Sequence, residues 1–237
     1  MLSLKLNKIH KANLITLACI IPLIVICYFY VDRPLTELTF YNTANSKFSD
    51  IFLKVSNLAK YYFFSAPVVL ILIFIRYCLG YRTTKLTWFL IAMCFAILFT
   101  FPFNDELKFI FGRTWPNTWS SNNPSWINNQ VFGFHPFTII GNAYMSFPSG
   151  HSATSMIVST FIWHTYRNIY ARTFAVVAIL LQVIGLLLLS HHWLSDTIAG
   201  MFVGMVVGNY FSFFFQEIMN FRSRHITHDI QFKDDEE

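Results

Sequence analysis

Apolar runs of near-bilayer length recur along this chain, and very few folds accommodate so many of them. They cover about residues 13–31, 62–75 with 77–80 extending it, 86–103, 148–166, 174–190 and 196–215. A helix needs about 20 mostly apolar residues to cross a ~30 Å hydrocarbon core. The pattern therefore predicts an all-α integral membrane protein with about six transmembrane helices. Composition points the same way: 55% of residues are hydrophobic and only 12% charged, a balance outside that of water-soluble domains. No linker rich in Gly, Ser or Pro separates the runs, so residues 1–237 read as one polytopic domain.

Ahead of the first run stand Lys5, Lys8 and Lys11, which makes a signal peptide the competing reading. The run is long for such a peptide, and Val31-Asp32-Arg33-Pro34 is a poor cleavage site, so a retained span is expected. Between the first two runs, Phe48, Ile51, Phe52 and Val55 recur at helical spacing, which suggests a helix at the membrane interface; a plain connecting loop is the equal alternative. Cys19, Cys27, Cys78 and Cys94 all fall in apolar runs without paired or metal-ligand spacing and read as inert thiols.

Basic residues report orientation. Lys5, Lys8 and Lys11, then Arg76, Arg82 and Lys85, then Arg167 and Arg172, then Arg222 and Arg224 collect on one side of six spans, which should be cytoplasmic. Both termini are then cytoplasmic. The net charge of +5 is dispersed over short loops and gives no nucleic-acid signal. The long polar stretch 104–147 lies on the opposite side, the outer or periplasmic face of a cell inner membrane. Its Trp115, Trp119 and Trp126 suggest an ordered loop at headgroup level.

Improbable polar residues gather on that outer side. Pro148-Ser149-Gly150-His151 precedes an apolar run, and a helix starting there presents the backbone N–H groups of Ser149 and Gly150 to an anion. His191, His192 and Asp196 follow at the same depth. Asp196, four residues beyond His192, is placed to hold one ring nitrogen and leave the other to attack. His151 is a candidate proton donor to a leaving oxygen. Lys108 and Arg113 add two cations on the same side, suited to the oxygens of a transferring phosphoryl group. Gly200, Gly204 and Gly208 lie one turn apart in line with Asp196, which suggests close helix packing and an inward-facing carboxylate.

These residues resemble the motifs of the type 2 phosphatidate phosphatase (PAP2) superfamily, which shares its site with vanadium haloperoxidases. The family pattern is Lys-x6-Arg-Pro, Pro-Ser-Gly-His and Ser-Arg-x5-His-x3-Asp. Lys108 and Pro116 match the first, Pro148 to His151 the second in full, and His192 with Asp196 the third. Two arginines of the pattern are missing: Trp115 stands before Pro116, and Gly185-Leu186 replaces Ser-Arg. Arg113, two residues before Trp115, is the expected substitute on the phosphate. For the other, His191 or lysines of the first outer segment are the remaining candidates.

The resemblance implies a lipid phosphatase without metal or other cofactor. His192 would attack phosphorus to give a phosphohistidine, Asp196 would orient it, and His151 would protonate the departing alkoxide and later activate water. Lys108, Arg113, Ser149 and Gly150 would bind the phosphate. The partners implied are membrane lipids and a lipid phosphate or pyrophosphate substrate. A family member altered into a lipid phosphotransferase, or into a non-catalytic headgroup binder, is the alternative; a transporter is disfavoured because no span carries a mid-membrane charge or paired broken helices.

Overall fold

The computed structural model describes residues 2–43, 49–118, 122–138 and 140–234, with side chains described as far as Arg224. The chain opens with α1 (Leu2–Ile26), which passes through a π-helical turn (Cys27–Val31) directly into α2 (Asp32–Thr43). Two helices follow, α3 (Ser49–Ser56) and α4 (Leu58–Cys78), and then α5 (Lys85–Phe111). A long loop with the short helix α6 (Trp126–Asn129) leads to α7 (Gly150–Thr165), α8 (Ile169–Leu188) and α9 (Leu194–Asp234).

Five of the six expected spans are helices long and apolar enough to cross a membrane: Leu2–Thr43, Ser49–Cys78, Lys85–Phe111, Ile169–Leu188 and Leu194–Arg224. The sixth, α7, has only 16 residues and at ~1.5 Å per residue is shorter than the hydrocarbon core. It tolerates this because protein surrounds it. Ser152, Ser155, Ser159 and Thr160 on α7 are buried beside Ala153, Ile157 and Phe161. The outward faces of the other helices are the reverse: Ile15, Phe29, Ile71, Phe74, Phe174 and Leu180 are all exposed, as lipid-facing side chains are.

The core lies where α4, α5, α7 and α9 meet, around Ala66, Phe89, Ile97, Phe161, Val207 and Phe215. Close approach of α7 and α9 depends on the glycine stripe. A Cβ on Gly200 would come within 2.2 Å of the Ser149 carbonyl oxygen, and one on Gly204 within 2.1 Å of that of Ala153. The stripe holds Asp196 inward, fully buried, as its register implied.

The segment expected as one interfacial helix is divided differently. Its first part continues the N-terminal helix as α2, and Ile51, Phe52 and Val55 lie on α3, which packs on α8. Phe48 lies outside the described residues. α5 reaches further than its apolar run, so Lys108 is part of its last turn. The helix stops at Gly112, whose φ of +57° is left-handed and whose added Cβ would meet the His135 carbonyl; only glycine suits both conditions.

The described parts of the 112–149 loop pair with one another. Thr114 N–H donates to the Gly133 carbonyl at 3.2 Å and Ser146 N–H to that of Arg113 at 3.2 Å. Trp115 Nε1 donates to the Asn142 carbonyl, and Trp126 Nε1 to Glu37 on α2. Trp119 lies outside the described residues. At the other end of the bundle sit the Lys5–Glu217 pair and Arg222, which donates to Thr83. Glu217 is roughly 30 Å along α9 from Asp196.

Candidate active site

The first turn of α7 is capped by Ser149, whose hydroxyl accepts from Ser152 N–H at 3.3 Å. Ser149's own N–H donates to the Asp196 carbonyl at 3.0 Å. It is therefore not offered to a phosphate, as the sequence had suggested. Gly150 and His151 hold the orphan N–H groups left at this helix start, which point out along the positive end of the dipole. Gly150 lines the cavity, and a Cβ there would press on Asn104 Nδ2 at 3.3 Å and lie 3.7 Å from Lys108 Nζ. Lys108 also pairs with Asp105 one turn earlier, at 3.0 Å.

His192 stands just ahead of α9, on the turn that follows α8. Its Nδ1 lies 3.5 Å from Asp196 Oδ2, inside ion-pair range but too long for a hydrogen bond, and has no hydrogen-bond partner among the described residues. A shift of a few tenths of an ångström completes the bond. The His151 ring is 5.7 Å from that of His192, and its buried Nε2 has no hydrogen-bond partner among the described residues. Trp115 packs against His192 from the other side at 5.2 Å. His191 is held neutral: burial, then the neighbouring His192 and Lys60, push its pKa down to about 3.

Arg113 corrects the reading of the sequence. It is wholly buried, with no place on the cavity wall, and lies behind Asp196. Nη1 donates to Asp196 Oδ1 and to Ser195 Oγ, and Nη2 to Asp32 Oδ2 at 2.7 Å. The rings of Tyr28, Phe132, Phe134 and Trp193 surround its Cζ at 5.1 to 5.5 Å. A guanidinium so enclosed does not reach a phosphate. Asp196 in turn accepts on Oδ2 from the Ser146 hydroxyl at 2.5 Å and from Trp193 N–H at 3.2 Å.

The positions of the missing Ser-Arg pair are closed to any such role. Leu186 is fully buried, and a Cβ on Gly185 would approach the Phe52 carbonyl of α3 to 3.1 Å. Besides Lys108, the cavity holds Lys60, in the first turn of α4. Sequence reasoning named only the outer-segment lysines as a group; the signal that singles out Lys60 is its place at the head of an apolar run, level with Lys108 on the next one.

Lys60, Lys108, Gly150, His151, His192 and Trp115 thus share one cavity of about 730 Å³. Its remaining wall is largely apolar, with Ala59, Phe63, Phe64 and Phe101 from α4 and α5. Phe64 and Phe101 are also exposed on the outside of the bundle. The arrangement sets two imidazoles, two ammonium groups and helix N–H groups beside a largely apolar surface.

No curated protein and no solved structure matches the chain. The family model of the PAP2 superfamily matches residues 85–219, a stretch that holds Lys108, His151, His192 and Asp196 and more than half of the chain. The chain belongs to the PAP2 superfamily.

Proposed function

We propose that this chain is a membrane phosphatase that hydrolyses a lipid phosphate or pyrophosphate through a phosphohistidine. Membership in the family supports a phosphatase-type activity on lipid phosphates. The observation that carries the finer reading is that His192, His151, Lys60 and Lys108 line one cavity while Asp196 approaches His192 from behind.

In the first step Nε2 of His192 attacks phosphorus as the bond to the leaving oxygen breaks, and His151 gives that oxygen its proton. In the second, His151 takes a proton from water as the water attacks phosphorus, and the imidazole leaves. Lys60 and Lys108 hold the phosphoryl oxygens from α4 and α5, with the amides of Gly150 and His151 beneath. Lys60 takes the place that the sequence assigned to Arg113. The apolar wall accepts the acyl or prenyl chain, and the basic residues at the opposite end of the bundle support a site on the non-cytoplasmic face.

Phosphate release from a panel of lipid phosphates and pyrophosphates, by purified protein with chelator present, tests the reading. Chelator-resistant turnover lost in His192→Ala supports it. Headgroup binding without turnover by the wild-type protein would instead mark a silent member, which the loss of both family arginines at Trp115 and Leu186 favours.

A further inference from the structure

Behind His192 lies a charge cluster that draws on a helix outside the matched stretch. Asp32 opens α2, immediately after the π-helical turn, and is fully buried. Its Oδ1 accepts from Ser195 N–H at 3.0 Å, and its Oδ2 from the Ser195 hydroxyl at 2.5 Å and from Arg113 at 2.7 Å. Among the described residues Asp196 likewise receives only donors: Arg113, Ser146 and Trp193 N–H. Donor-only surroundings suit the ionised form of both carboxylates, which can only accept. Two carboxylates and one guanidinium leave one negative charge in excess.

That excess bears on the first chemical step. When Nε2 of His192 forms its bond to phosphorus, the ring, still protonated on Nδ1, becomes cationic. Arg113 paired with Asp196 alone would be neutral and would offer this cation little in a dry site, where charge acts strongly. Burying a second carboxylate is costly in desolvation, and one Asp–Arg pair would be enough to brace the turn. We propose that Asp32 is a positioning residue for the reaction: acting through Arg113, it restores to Asp196 the net negative charge that supports His192. This rests on the proposed role of His192 as nucleophile.

Three variants separate charge from mere bracing. Asp32→Asn leaves no excess charge, Arg113→Gln leaves an excess of two, and the double variant returns to one. His151 and His191 beside His192, and Lys60 and Lys108 across the cavity, are unchanged in all of them. Asp32→Asn should lower kcat by roughly tenfold or more with KM little altered. The double variant should recover most of that loss, since it returns the cluster to a single negative charge.

A second readout needs no substrate: the rate at which diethyl pyrocarbonate modifies His192, followed by mass spectrometry, should fall and recover in the same order. If that order holds while the wild-type protein hydrolyses no lipid phosphate, the hydrolysis reading fails and the role of Asp32 stands. Wild-type turnover with a double variant no better than Asp32→Asn in either readout overturns it. Should Asp32→Asn not fold, the double variant against wild type decides: near-wild-type labelling supports the charge role, and a loss of roughly tenfold or more overturns it.

Discussion

Ser149 donates its backbone N–H to the carbonyl of Asp196 at 3.0 Å, so the cap of α7 and the carboxylate behind His192 are joined by one main-chain bond. Gly200, one turn beyond Asp196, keeps the two helices at this distance. In Gly200→Ala the new Cβ would sit 2.2 Å from the Ser149 carbonyl oxygen, and backbone cannot yield as a side chain does. Stability should fall by about 1–3 kcal/mol, and turnover should fall further than stability, because both halves of the site shift. Thermal unfolding in detergent alongside kcat checks this; unchanged kcat would show that the join is not needed.

His192 and His191 are adjacent, but only His192 has its Nδ1 beside Asp196. His192→Ala should remove the acid-labile phosphoenzyme trapped by rapid quench and lower kcat on the order of 10³-fold or more. His191→Ala should retain the phosphoenzyme. His151→Ala should slow an alkyl leaving group about 10²-fold or more and an activated aryl one far less, since only the former needs a proton. Loss of the phosphoenzyme in His191→Ala with its retention in His192→Ala would reverse the assignment.

Lys60 has no acidic partner among the described residues, whereas Lys108 shares its charge with Asp105. Lys60→Gln should therefore raise KM for a lipid phosphate by about tenfold, the worth of one charge-assisted hydrogen bond. Arg113→Lys should act differently, lowering kcat and stability with little change in KM, because Arg113 touches protein only. Initial-rate kinetics over a range of substrate in mixed micelles separates the two patterns.

His191 supplies a pH dependence of known sign. Its folded pKa of about 3 lies below the ordinary 6.5 of an exposed histidine. Between these values the unfolded chain binds the extra proton, so stability is full above about pH 6.5 and declines as pH falls toward 3. His191→Gln should flatten that decline between pH 6.5 and 4.5. Parallel melting curves for the two proteins over this range test it.

Much of this protein is written in local pattern. The apolar runs foretold the spanning helices, Pro148-Ser149-Gly150 foretold the start of α7, and the register of Gly200, Gly204 and Gly208 with Asp196 foretold an inward carboxylate. Each is a matter of neighbours within a turn or two, where propensity and periodicity act directly. Arg113 was not legible in this way. A cation just past a helix end, near a Pro-Ser-Gly-His motif, has the same local sequence whether it meets a phosphate or is buried. Tertiary structure decided, by bringing Asp32 from 81 residues away and Ser195 from 82. The same holds for Lys60, which joins Lys108 only because α4 packs beside α5, and for α7, whose shortness is tolerated because other helices surround it. A charge finds its partner through the packing of whole helices, and that packing depends on every face in the bundle at once.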